Sequence, residues 1–234
     1  MPSFATVTSV PSQCAVCRSW AGQRVCADCL QRFAAPRPRC QGCAIGVADG
    51  VVRCGACLKQ PPPFDAAVAA VDYAYPWDGL VQRFKFHAGL DLAGAFAGLL
   101  RDALGRIGLP APDLLVPVPL SAARLRERGF NQAWEIGRRV ARRIGCAADA
   151  HLVLRPKDTA HQVALPPAER AANVRGAFAL EPRRRAEVQA RTVAVVDDVM
   201  TTGATAAELA SVLKRAGARS VQVWVVARTP EHDA

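Results

Sequence analysis

The sequence predicts an α/β protein, with a doubly wound, mainly parallel sheet preceded by a small cysteine-rich module. Three observations carry this. From residue 65 onward, short β-branched runs alternate with stretches of helical periodicity, the pattern of βα units. One run, Thr192–Val196, leads into two aspartates and a loop of Thr, Gly and Ala before the next helical stretch. Ahead of these, eight of the nine cysteines fall in four C-x-x-C pairs. The expected boundaries are a cysteine module over 1–58, a proline-rich connector over 59–64 and an α/β domain over 65–234.

The cysteine pairs are Cys14/Cys17, Cys26/Cys29, Cys40/Cys43 and Cys54/Cys57. Each pair presents two thiolates from one tight knuckle, and four thiolates close a tetrahedral zinc shell. Sequential pairing makes two zinc ribbons, Cys14, Cys17, Cys26, Cys29 and then Cys40, Cys43, Cys54, Cys57. A cross-braced arrangement joining the first pair to the third uses the same ligands, and spacing does not choose between them. An iron–sulfur site is the alternative metal; structural zinc is the expectation. A thioredoxin-like redox site needs one C-x-x-C in a βαβ context, not four in series. Cys146 stands alone and reads as a small hydrophobe.

Lys59-Gln-Pro-Pro-Pro-Phe64 reads as a stiff, extended connector. A strand is expected within Asp65–Tyr75 and a short helix over Trp77–Phe86. Leu92, Phe96, Leu99, Leu100, Ala103 and Ile107, three or four residues apart, predict a second helix. Asp113-Leu-Leu-Val-Pro-Val-Pro119 is the first strong core strand, its prolines at the end where a strand turns out of a sheet. Helices follow over Ala122–Arg128 and Gln132–Ile144, then a strand at His151–Leu154 and a short helix near Pro167–Asn173. Strand Thr192–Val196, helix Ala204–Ala216 and strand Ser220–Ala227 complete a βαβ ending. In such a sheet, ligands are expected at the carboxyl ends of the strands.

Val193-Ala-Val-Val-Asp-Asp-Val-Met-Thr-Thr-Gly-Ala-Thr205 is the most informative stretch. Small residues in a strand–loop–helix let backbone N–H groups close around a phosphate, helped by the positive helix N-terminus. Thr201, Thr202 and Thr205 add hydroxyl donors, and Asp197 and Asp198 suit the hydroxyls of an attached ribose. No G-x-x-x-x-G-K occurs, so nucleoside triphosphate hydrolysis is not supported. The formal net charge of +10, carried mainly by arginine, favours anionic partners, phosphorylated small molecules or nucleic acid alike. No run of about 18 uncharged apolar residues occurs, so no membrane span is expected. The stretch Met1–Gln13 lacks the basic start and apolar core of a secretory signal, and a cytoplasmic location is the expectation.

The Val193–Thr205 stretch resembles the phosphoribosyl pyrophosphate (PRPP) signature of type I phosphoribosyltransferases. Three further segments extend the likeness: Val116–Gln132, with its Arg128-Gly-Phe-Asn-Gln132; Arg155–Gln162, continued by Arg170, Asn173 and Gly176-Ala-Phe178; and the cysteine knuckles. Together they resemble the ComF family, a double zinc ribbon joined to a phosphoribosyltransferase domain. That resemblance implies that Asp197 and Asp198 hold the ribose hydroxyls of PRPP. It implies that Thr201, Thr202, Gly203, Ala204 and Thr205 cradle its 5-phosphate. The turn after Val116-Pro-Val-Pro119, with Val118 and Pro119, takes the place of the pyrophosphate loop. Among Arg124, Arg126 and Arg128, the last is favoured for charge on the diphosphate. The segment Arg155–Gln162 resembles a closing loop that brings Arg155 or Lys157 to the leaving group, with Mg²⁺ bridging diphosphate and ribose oxygens. The implied reaction displaces pyrophosphate from C1 of the ribose, with catalysis by Asp197, Asp198, Lys157 and Arg128, and the implied role lies in DNA uptake and natural transformation.

One departure bears on the acceptor. Purine-specific relatives often carry an acid at the position of Thr201, so 6-oxopurine salvage is disfavoured and the acceptor is unidentified. A second class of function is a non-catalytic adaptor for single-stranded DNA or a DNA-processing helicase. It draws on seven arginines against two glutamates between residues 124 and 143. Sparse aromatics argue against a dedicated single-strand binder. Asn131 and Gln132 equally suit the cap and start of a helix, His161 reads as a loop residue, and Lys85, in Arg83-Phe-Lys-Phe-His87, reads as a surface lysine ahead of the alternative that it reaches a phosphate.

Overall fold

The computed structural model describes residues 12–87, 89–156 and 174–230. Its centre is a five-stranded sheet in the order β3 (Ala66–Asp72), β9 (Ser220–Arg228), β8 (Thr192–Met200), β4 (Leu114–Pro117), β5 (Ala147–Ala148), with every pairing parallel. The inner strands β8 and β9 are apolar on both faces, as a sheet covered on both sides requires. One face carries α3 (Trp77–Phe86), α4 (Ala93–Ile107) and α6 (Gln132–Ile144), whose Phe84, Phe96, Leu100 and Ile136 pack with Val196, Trp224 and Val226. The other carries α7 (Ala204–Arg215), whose Leu209 and Leu213 pack with Val193, Val195 and Val223. This is the doubly wound α/β arrangement expected from the sequence. Among the described residues no helix is long and apolar enough to cross a membrane.

Helix boundaries follow local chemistry. Ser121 caps α5 (Ala122–Arg128) by accepting from Arg124 N, and Gly129 ends it in the left-handed conformation. Asn131 caps α6 by accepting from Ala133 N and Trp134 N at 2.9 and 3.2 Å. The strand expected over His151–Leu154 shrinks to β6 (Val153–Leu154), paired antiparallel with β7 (Ala179–Leu180). Its first half is diverted because Asp149 Oδ1 accepts from His151 N at 2.7 Å and Leu152 N at 2.9 Å, a side-chain turn that competes with pairing. The helix expected near Pro167–Asn173 lies outside the described residues.

The more consequential difference is in β8. The sequence places its end at Val196, but pairing with β9 continues through Asp197↔Val225 and Val199↔Ala227 to Met200↔Arg228. Asp197 and Asp198 therefore stand inside a paired strand, on alternate faces of the sheet.

Two cysteine-rich pieces precede the sheet. The first contains β1 (Ser12–Gln13), β2 (Trp20–Ala21) and α1 (Ala27–Phe33); the second contains α2 (Gly55–Lys59). They meet opposite faces. Cys14, Val25, Cys26 and Cys29 join the apolar cluster of α3 and α4, whereas Ala44 joins that of α7.

Helix α6 approaches the sheet closely at Gly137, where a Cβ would lie 2.8 Å from Leu115 Cδ2 and 3.6 Å from Val196 Cβ. Both neighbours are fully buried. Gly137→Val is expected to destabilise the chain by about 1–3 kcal/mol through overpacking. Urea unfolding checks this, and an unchanged midpoint would show that α6 stands further from β4 and β8.

Candidate functional site

The eight paired cysteines form two sets, Cys14, Cys17, Cys26, Cys29 and Cys40, Cys43, Cys54, Cys57, with the ligand atoms of each set within 4.8 Å of one another. Pairing is thus sequential, and the cross-braced alternative is not adopted. In each set the second C-x-x-C opens a helix: Cys26 precedes α1 and Cys54 precedes α2, so the sulfur faces a positive helix end. Backbone amides also point at sulfur, from Val16 and Cys26 to Cys14 Sγ at 3.4 Å and from Cys54 to Cys40 Sγ at 3.2 Å.

These groups fit a bound cation. Burial tends to raise the Cys14 thiol, but backbone N–H groups led by Cys26 bring it down from 9.0 to about 6. Cys40 falls to about 7 by the same balance, with Cys54 N–H foremost. Burial and then neighbouring sulfurs push Cys29 up to about 12 and raise Cys57 as well. Four thiolates at this separation repel unless a cation sits among them. The Sγ–Sγ separations of 3.6 Å for Cys17–Cys26 and Cys43–Cys54 match the edge of about 3.8 Å expected of a zinc–thiolate tetrahedron. Cys14, Cys17, Cys26 and Cys29 would hold one zinc and Cys40, Cys43, Cys54 and Cys57 the other, as closed structural centres. Cys146 is half-buried, its thiol pushed up by burial.

The second constellation lies at the carboxyl ends of the strands. Strand β8 delivers Asp197, then Met200, into the loop Thr201–Gly203 and the start of α7. Asp197, Thr201, Thr202, Gly203, Ala204, Thr205 and Val118 line one open hollow. Gly203 adopts φ +83°, a conformation that side chains resist, and this turn sets the first amides of α7 against the hollow. Thr202 Oγ1 accepts from Ala204 N at 3.3 Å and Gly203 O from Ala207 N at 2.8 Å. The expected phosphate-loop residues are thus brought together, with Asp197 beside them.

Asp198 faces the other way. Its side chain is 4% exposed and accepts an ion pair from Lys85 Nζ at 3.0 Å, while its Oδ2 has no hydrogen-bond partner among the described residues. Lys85, expected on the surface, belongs to the site instead. The readable signal was its place between Phe84, buried in the core, and Phe86, in the last turn of α3. Arg128 is close by: its guanidinium lies 5.0 Å from the Phe86 ring centroid and donates to Gln132 Oε1 at 2.7 Å. Burial lowers its pKa, opposed first by the charge of Asp198.

The turn after β4 is held from both sides. Val118 N donates to Val196 O at 2.9 Å, and Asn131 Nδ2 donates to Val118 O at 3.0 Å. Pro119 is buried beside it. Asn131 therefore caps α6 and holds Val118, while Gln132 opens the helix and holds Arg128. Arg155, just beyond β6, lies with its guanidinium 5.4 Å from the Phe178 ring centroid. Lys157, His161, Arg170 and Asn173 lie outside the described residues. On α6, Arg138 and Arg139 both pair with Glu135 Oε2, at 2.6 and 2.5 Å, so part of the arginine-rich stretch is neutralised internally.

This defines a class: a parallel α/β protein with an acid pair and threonine loop at the end of a central strand, preceded by two four-cysteine metal centres. No family model matches the chain. The DNA utilization protein YhgH of Salmonella typhi is 37% identical over 228 residues, covering 94% of this chain and 99% of that protein. YhgH of Escherichia coli K12 is 36% identical over 231 residues with the same coverage. Competence protein F of Haemophilus influenzae is 35% identical over 208 residues, 87% of this chain and 90% of the other. The chain belongs to this family, the ComF family of YhgH and competence protein F. Among solved structures, the B. subtilis glutamine PRPP amidotransferase complexed with ADP and GMP is similar over 61% of this chain and 30% of that one. Identity there is 19% and the TM-score 0.41, too loose to bear on function.

Two outcomes are expected. Metal analysis of the folded chain should give about two zinc ions per chain, one per cysteine set. A content well under one would exclude the closed centres.

The second concerns Asp197, whose carboxyl is pushed up from 3.8 to about 7, first by burial and then by the charge of Asp198. The folded chain thus holds this proton more tightly than the unfolded chain. The resulting stabilisation is fully present below about pH 4 and is lost as pH rises through about 7. The melting temperature of Asp197→Asn, relative to wild type, should therefore rise between about pH 5 and pH 8. A pH-independent difference would show that folding does not raise the Asp197 carboxyl.

Proposed function

We propose that this chain binds PRPP with Mg²⁺ and acts as a phosphoribosyltransferase linked to DNA utilization, with an acceptor still to be identified. The observation that carries this reading is the shared hollow of Asp197 and the Thr201–Thr205 loop at the N-terminus of α7. Successive amides and threonine hydroxyls there suit a phosphate monoester. Asp197 and Asp198 supply acceptors for ribose hydroxyls, and the unpartnered Asp198 Oδ2 is an acceptor that a hydroxyl or a metal-bound water would satisfy. Mg²⁺, when bound, would neutralise diphosphate charge, and hard oxygen ligands such as these two carboxylates suit it.

The chain's own groups then divide the work. The threonine loop fixes the 5-phosphate, the acid pair fixes the ribose, and Arg128 offers positive charge where the Val118–Pro119 turn faces the departing diphosphate. Lys85 balances the charge of the acid pair. Pyrophosphate leaves C1 as positive charge develops on the ribose ring, so fixed charges and orientation supply most of the rate. Arg155 and Lys157 belong to the segment assigned to closure over the leaving group. The link to DNA draws on the names of the relatives, DNA utilization protein and competence protein F. Binding without turnover, as an adaptor for single-stranded DNA or a helicase, is the competing reading.

Calorimetry tests the proposal. Wild type is expected to bind PRPP with Mg²⁺, and an Asp197→Asn, Asp198→Asn double variant to bind at least about a hundredfold more weakly, as two lost charge-assisted bonds imply. Absence of binding to wild type, or full binding by the double variant, overturns it. Pyrophosphate release across a panel of acceptors separates the enzyme from the adaptor.

A further inference from the structure

The last residue of β9 is a buried arginine. Arg228 is 8% exposed, and its guanidinium donates to four carbonyl oxygens. Nε bonds Cys43 O at 2.9 Å, and Nη1 bonds Met200 O at 3.2 Å, Thr229 O at 2.9 Å and Thr201 O. Met200 and Thr201 open the threonine loop; Cys43 belongs to the second cysteine set. One rigid, planar group thus joins a metal centre to the phosphate loop.

The consequence for the loop follows from peptide geometry. In a planar trans peptide the N–H points opposite the C=O. Drawing the carbonyls of Met200 and Thr201 toward Arg228 therefore turns the amides of Thr201 and Thr202 away from it. The cysteine end is equally fixed. Ala67 N donates to Gln41 O at 2.9 Å, carrying the knuckle onto the edge of β3. Arg39 donates to Ala44 O at 3.1 Å and pairs with Asp72 at 2.9 Å, at the end of β3. Ala44 is fully buried in the apolar cluster that also holds Met200, Ala206 and Leu209. The first cysteine set packs on the opposite face of the sheet.

We propose that Arg228 is a positioning residue that couples the second cysteine set to the threonine loop, so that metal held by Cys40, Cys43, Cys54 and Cys57 keeps the loop ordered for its ligand. Metal fixes the knuckle, the knuckle fixes the Cys43 carbonyl, and the carbonyl fixes the guanidinium that orients the loop. The first set has no part in this path. The coupling stands on the geometry alone; its effect on sugar-phosphate affinity rests on the function proposed above.

Hydrogen exchange on the full, zinc-loaded chain tests this, reading loop amides 201–207 against β8 amides 193–196 as an internal control for folding. Cys54→Ser and Arg228→Met are each expected to speed loop exchange at least about tenfold while β8 stays protected, as selective local opening requires. Arg228→Lys keeps the charge but cannot span both sets of carbonyls, and its loop should also loosen. Cys17→Ser, which breaks the first set, should leave the loop as in wild type. Unchanged loop exchange in Cys54→Ser with one zinc lost overturns the proposal, as does equal loosening by Cys17→Ser. Should Arg228→Met lose β8 protection as well, Cys54→Ser against Cys17→Ser decides alone. Ribose 5-phosphate titrated into the same variants should bind more weakly wherever the loop loosens. If it binds none of them, wild type included, the assigned ligand fails while the coupling stands on exchange.

Discussion

The site depends on the parallel pairing of β8 with β9, continued past the point where hydrophobicity ends. Because the ladder runs to Met200↔Arg228, two adjacent aspartates are held in an extended, paired backbone and must face opposite sides of the sheet. Asp197 joins the threonine loop; Asp198 is buried against Lys85. Burial first, and then the nearby charge of Asp198, raise Asp197, and the lysine on the other face opposes this. A strand ending at Val196 would leave both acids in a solvated turn, without this division of environment.

The cysteine sets answer a related electrostatic problem. Each gathers four sulfurs more tightly than four thiolates tolerate, and backbone amides lower only some of them. A cation is the natural completion. The two centres are not equivalent in the fold: one braces the α3–α4 face, the other lies against the end of β9 and, through a single guanidinium, against the threonine loop.

Much of the fold was legible because its signals are local. Helices Trp77–Phe86, Ala122–Arg128 and Gln132–Ile144 stand where the helical patterns, and Asn131 as a cap, place them. The loop Thr201–Thr205 was legible from residue chemistry and Val118 only through the family resemblance, and the structure gathers them with Asp197 around one hollow. Arg228 was not, since a charged residue in sequence carries no sign of whether it will be solvated, and for Lys85 only the flanking Phe84 and Phe86 hinted at its place. The buried Asp198, distant along the chain, decides the fate of Lys85, as four carbonyls decide that of Arg228. The strand expected at His151–Leu154 failed for a local reason, the competing side-chain turn of Asp149.

The sequence by itself determined the alternation of strands and helices, the family and the metal-binding chemistry of the knuckles, because period, residue type and close spacing are written along the chain. Tertiary structure alone decided that the knuckles pair in order, that the acids face opposite ways and that an arginine at the end of β9 reaches both a cysteine knuckle and the loop. The physical reason is that burial and partnership across the sheet depend on which distant groups meet, and only the packed chain brings them within bonding distance.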